Sequence, residues 1–186
     1  NKITDIWPNI SVIIINKWKV VYKLYSNNIL IIANLKGEVF MKEFFPSISP
    51  IKFEGSESKN PLSFKYYDAK RVIMGKTMEE HLSFAMAWWH NLCASGVDMF
   101  GQGTADKGFG ENPGTMEHAK AKVDAGIEFM QKLGIKYYCF HDTDIVPEDQ
   151  EDINITNARL DEITDYILEK TKGTDIKCLW ATCNMF

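Results

Sequence analysis

The sequence predicts an α/β fold built on parallel strands, and three observations predict it. Two helix-then-strand units follow one another in the second half of the chain. Both of those strands are apolar on both faces rather than alternating, as strands covered by helices are. A glycine closes each helix just ahead of its strand, which is the expected stop signal.

The 186 residues are 45% hydrophobic and 25% charged, ordinary values for a globular chain. A formal net charge of −4 excludes a phosphate-binding surface as the main feature, so no nucleic-acid partner is expected. Four widely spaced cysteines without a C-x-x-C pair point to a reducing, cytoplasmic setting. The first forty residues differ from the rest, with apolar bursts at 12–15 and 29–32 separated by Lys17, Lys19 and Lys23. Neither burst approaches the ~20 apolar residues of a membrane span, so no membrane anchor is expected. Lys36-Gly37-Glu38 is encodable as AAA-GGA-GAA, a purine-rich ribosome-binding element ahead of Met41. Residues 1–40 are therefore expected to be an untranslated leader or a disordered extension, with the protein beginning at Met41.

Residues 44–68 are broken by Pro46, Pro50, Gly55 and Pro61 and read as irregular. Thr77-Met78-Glu79-Glu80 has the form of a capping box and starts a short helix. The run 82–89 (LSFAMAWW) is ambiguous between buried helix and buried strand, and a strand near 83–89 is favoured. A glycine-rich loop follows from 94 to 114. Residues 115–133 then carry a helical stripe, Ala119, Val123, Ile127 and Met130, closed by Gly134. The strand 135–140 (IKYYCF) comes directly after. An acidic loop, 147–152, leads to a second helix near 154–172 with the stripe Leu160, Ile163 and Ile167, and then to the strand 176–182 (IKCLWAT). A parallel sheet of two or three strands neither closes nor covers itself. The expected architecture is thus an α/β barrel cut short in this chain.

Chemistry concentrates at Phe140-His141-Asp142-Thr143-Asp144, where polar residues close a buried strand. In α/β barrels such strand ends face the active site. His141 and Asp144 are three apart, which on a continuing strand puts them on opposite faces. A turn after His141 brings them together, and Asp144 then holds one imidazole nitrogen while the other serves as a base. The residues read equally well as a capped loop beside a core-edge histidine.

Residues 140–147 (FHDTDIVP) resemble the xylose isomerase signature F-H-D-x-D-[LIV]-x-P. Similar in order are 51–55 (IKFEG), 84–92 (FAMAWWHNL), 98–101 (DMFG), 119–138 and 179–186 (LWATCNMF). The resemblance covers roughly Met41 to the last residue and favours the larger class of that family. It implies the N-terminal portion of a (β/α)₈ barrel, incomplete in this chain, and an aldose–ketose isomerase that interconverts D-xylose and D-xylulose by ring opening and a metal-assisted hydride shift. By the same resemblance His141 promotes ring opening, Asp144 holds its ring, and Trp89, Trp180 and Thr182 line the sugar pocket. Phe100 matches an aromatic that enters a neighbouring subunit's pocket in a homotetramer. Trp88 is assigned to the core. Where the family has a Pro-Trp-Asn element, this chain has 107–112 (KGFGEN), with Phe109 in the tryptophan's place. Two divalent ions, magnesium or alternatively manganese or cobalt, are implied, but their carboxylate ligands and the catalytic lysine fall on later strands. No metal ligand is assigned to this chain, which is expected to be inactive alone. Two other readings remain: another barrel of this type, such as a sugar-phosphate epimerase or abasic-site endonuclease, or a non-catalytic interaction fragment.

Overall fold

The computed structural model describes backbone for residues 10–16, 19–26 and 29–33, and describes residues 43–184 apart from 98, 104, 106, 110–112 and 148–151. Met41, Asp98, Glu111, Asn112 and most of the acidic loop thus lie outside the described residues. The chain divides into two compact units, Asn1–Glu43 and Phe44–Phe186. In the first, β1 (Ile10–Asn16), β2 (Lys19–Ser26) and β3 (Ile29–Ala33) form an antiparallel meander in that order, with Ile10 opposite Leu24 and Tyr22 opposite Ala33.

The second unit opens irregularly, as its prolines dictate. Two strands, β4 (Val72–Ile73) and β5 (Lys76–Thr77), then pair through a two-residue turn. Both turn residues have positive φ, +50° at Met74 and +82° at Gly75, the conformation of hairpin turns that glycine and asparagine favour. The one-turn helix α1 (Met78–His81) begins at the capping box read from the sequence: Glu80 N–H donates to Thr77 Oγ1, and Thr77 N–H donates to Glu80 Oε2.

The parallel sheet has the order β6 (Ala85–Ala87), β7 (Tyr137–His141), β8 (Lys177–Thr182). Between its strands run α2 (Met116–Leu133) and α4 (Ile153–Thr171), with a single turn, α3 (Asp142–Ile145), directly after β7. Helix α2 starts at Thr115, whose Oγ1 accepts from His118 N–H, and α4 at Asp152, whose Oδ1 accepts from Asn154 N–H. The expected strand near 83–89 is only three residues long, because the chain leaves it for a π-helical turn, Trp89–Cys93.

The core lies between the sheet and α2 and α4. Met86 and Trp88 from β6 and the residue after it, with Tyr138 and Phe140 from β7, are buried with Val123 and Met130 of α2 and Ile163 and Ile167 of α4. Trp88 is 1% exposed and meets Tyr138 and Phe140 edge-on at 5.4 and 6.2 Å. Helix α2 approaches closely at Gly126, where an added Cβ would lie 2.9 Å from Leu92 Cδ1. Asp124 of α2 accepts from Tyr166 Oη at 2.9 Å and meets Lys170 Nζ at 2.8 Å, which ties α2 to α4. Phe109 is buried as well, edge-on to Phe44 at 6.4 Å and to His118 at 5.8 Å.

Residues 44–48 dock on α2 without regular structure. Phe44 and Phe45 N–H donate to the Glu128 carboxylate at 2.6 and 3.0 Å, and Lys132 Nζ donates to the carbonyls of Phe45 and Ile48. Glu128 and Lys132, one turn apart, also pair with each other at 3.1 Å. Burial, the largest effect on Glu128, pushes its carboxyl up. The bonds from Phe44 N–H, Lys132 and Phe45 N–H together outweigh it and hold the group below its ordinary 4.5.

Two measurements check these local arguments. Met74 is 94% exposed and packs on little, so Met74→Asn relieves backbone strain without cost elsewhere. It is expected to raise the unfolding free energy by about 1 kcal/mol in urea titration. A carboxyl held below its unfolded value stabilises the fold above that value and loses the contribution as pH falls through the folded one. Glu128→Gln is therefore expected to cost about 1–3 kcal/mol near neutral pH. It should also flatten the loss of stability below pH 4.5. Parallel urea titrations at neutral and acid pH decide it.

Candidate functional site

Because Met86, Trp88, Tyr138 and Phe140 face the helices, alternation sends Cys139 and His141 to the opposite face of the sheet. Trp89, next to buried Trp88, begins the π-helical turn there, with its ring 4.8 Å from that of His141. The third ring comes from β8. Along β7 and β8 the register steps from Tyr138 opposite Cys178 to Cys139 opposite Trp180, leaving Leu179 as an extra residue. This bulge moves every later side chain of β8 to the other face. Trp180 therefore lies in register with Cys139, and Thr182 with His141. The Trp180 ring stands 5.5 Å from Trp89 and 6.0 Å, edge-on, from His141. Trp180 is 43% exposed, so the aromatic group is open on one side.

The turn that the His141–Asp144 spacing required is α3. It folds the chain back so that Asp144 Oδ2 accepts from His141 N–H at 2.7 Å and sits 3.1 Å from Nδ1 of the same residue. One carboxylate oxygen thus fixes both the start of the turn and the imidazole, and with the Nδ1 proton directed at Asp144, Nε2 is the free nitrogen. Asp144 is 7% exposed. Its carbonyl oxygen accepts from Lys122 Nζ of α2 at 2.9 Å and from Cys93 Sγ at 3.4 Å. Burial pushes the Cys93 thiol up to about 11, so at neutral pH it keeps the proton it donates. Lys122 and Cys93, neither singled out by the sequence reading, therefore hold the main chain of Asp144, the residue whose carboxylate pairs with His141.

Of the residues read from the sequence, the structure gathers His141, Asp144, Trp89 and Trp180. Thr182 stands beside His141 in the strand register, and Phe100, 90% exposed, projects into solvent. Among the described residues no group of three or more His, Cys, Asp or Glu side chains is placed to hold a metal ion. No described helix is long and apolar enough to cross a membrane.

A histidine–carboxylate pair among aromatic rings, at the carboxyl ends of parallel strands, marks an α/β protein with its candidate ligand site at the usual edge of the sheet. No family model matches the chain. Curated relatives narrow the class. A xylose isomerase of Bacteroides thetaiotaomicron is 54% identical over 145 residues, 78% of this chain and 33% of the relative. One of Thermotoga neapolitana is 46% identical over 146 residues, again 78% of this chain and 33% of the relative. One of Lactococcus lactis subsp. cremoris is 47% identical over 144 residues, 77% of this chain and 37% of the relative. The chain is thus similar to xylose isomerases over most of its own length, and it spans about a third of the length of the relatives it matches.

The double use of Asp144 makes its removal measurable without any ligand. Asp144→Ala strips the partner from a buried N–H and from the imidazole. It is expected to cost about 1–3 kcal/mol in denaturant titration, whereas Asp144→Asn, which keeps an acceptor for the N–H, should cost less than half as much. Equal losses would show that the N–H bond does not set the stability of the turn.

Proposed function

We propose that this chain carries the sugar-ring-opening end of a xylose isomerase, an intramolecular oxidoreductase that interconverts D-xylose and D-xylulose. The observation that carries the reading is the convergence of the His141–Asp144 pair with Trp89 and Trp180 at one end of the parallel sheet, in a chain about half identical to xylose isomerases. Apolar sugar faces stack on indole rings, which also exclude water from one side of the site. His141 Nε2 removes the proton of the anomeric hydroxyl while the bond from the anomeric carbon to the ring oxygen breaks and that oxygen takes up a proton. The product is the open-chain aldose. Asp144 acts by fixing the imidazole's tautomer and direction, the part a carboxylate plays beside a general base. Trp180 and Thr182 form the wall of the pocket beside it.

In the same reading the sheet is the first part of a (β/α)₈ barrel, and the whole enzyme is a cytoplasmic homotetramer. Phe100 reaches from one subunit into the pocket of the next, which its exposure supports. The cofactors are two divalent ions, magnesium or alternatively manganese or cobalt, held by residues other than those described, and the fragment is inactive without them. Residues 41–186 are the catalytic portion and residues 1–40 lie outside it, in keeping with the division between units after Glu43.

The test is the complete protein bearing His141→Gln. Turnover of the cyclic aldose is expected to fall by about 10²-fold or more, the usual contribution of a general base, while metal affinity stays within a few-fold of the unaltered protein. An unchanged rate on the cyclic sugar would remove His141 from the reaction.

A further inference from the structure

Strand β8 owes its useful face to the bulge at Leu179, yet little in its own packing holds the register beyond it. All six residues, Lys177–Thr182, are exposed. A slip of one residue turns Trp180 and Thr182 away from His141. Two residues past Thr182 the chain is tied back. Asn184 N–H donates to Asp142 Oδ1 at 2.8 Å, and Asn184 Nδ2 donates to Thr143 Oγ1 at 3.2 Å. The same Asp142 oxygen accepts Thr143 N–H at 2.9 Å, which holds the carboxylate against the first turn of α3. Asp142 directly follows His141, and His141 pairs with Thr182. One oxygen atom therefore joins the carboxyl ends of two neighbouring strands beside the histidine.

We infer that Asp142 is a positioning residue: by accepting the Asn184 N–H it locks the register of β8 beyond the bulge and so holds Trp180 against His141. The effect on sugar handling rests on the proposed isomerase reading, but the geometry does not, and the two are separable by experiment. The complete protein is labelled with 5-fluorotryptophan, and the Trp180 fluorine resonance is assigned by its loss in Trp180→Phe. In Asp142→Ala the Trp180 resonance is expected to shift or broaden while that of core Trp88 stays in place. Asp142→Asn, which keeps the Oδ1 acceptor, restores the Trp180 position. Asn184→Pro removes the backbone donor with Asp142 intact and is expected to reproduce the alanine spectrum, which keeps the test open should Asp142→Ala fail to fold. In the same alanine variant the KM for the aldose is expected to rise about tenfold, the worth of one hydrogen bond, with kcat changed much less.

A Trp180 resonance unmoved in both Asp142→Ala and Asn184→Pro overturns the register lock. So does a Trp88 resonance that moves with it and is not restored by asparagine, which would mark a general loss of structure. A displaced Trp180 with an unaltered KM in an active isomerase overturns the positioning role. If the unaltered protein turns over no aldose, the proposed function fails, and the fluorine spectra still decide the clasp.

Discussion

Burial of Trp88 is the constraint on which the rest of this unit depends. Its indole fills the space between α2 and the aromatic face of β7, and it fixes which side of the sheet meets the helices. Once that side is chosen, the neighbouring Trp89 goes to the other, and so does His141. Gly126 belongs to the same constraint, because the helix closes on Leu92, Met86 and Trp88 only where it lacks a Cβ. The candidate site is thus the reverse side of a packing decision made in the core.

The regular parts of the fold were legible in the sequence because they are governed by local rules. The stripes of α2 and α4, the glycine stops and the capping box at Thr77 each involve residues a few positions apart. The turn after His141 was legible too, since its need followed from the spacing to Asp144 alone. Chemistry at the strand end was visible as a run of polar residues where an apolar strand stops.

The remainder was hidden for physical reasons. Residues 176–182 are apolar almost throughout, so no alternation announces the extra residue at Leu179, and the facing of Trp180 is decided by pairing with β7. The run 82–89 gave no period that separates strand from helix, and the structure uses both in succession. Met74 is a poor residue for a turn with positive φ, which masked the hairpin. The roles of Lys122 and Cys93 behind Asp144 are tertiary, set by where α2 and the π-helical turn pass the end of β7.

The grip of Glu128 and Lys132 on residues 44–48 bears on the order in which the chain acquires structure. These contacts span 83 to 87 positions of sequence, and both partners on α2 must be presented on the same side of a formed helix. Residues 44–48 leave the ribosome well before α2 is made, carrying peptide groups that pair with nothing regular of their own. Their docking therefore waits on translation of the segment that receives them. Until then Phe44 and Phe45 lack the helix that receives them, and its synthesis closes that interval.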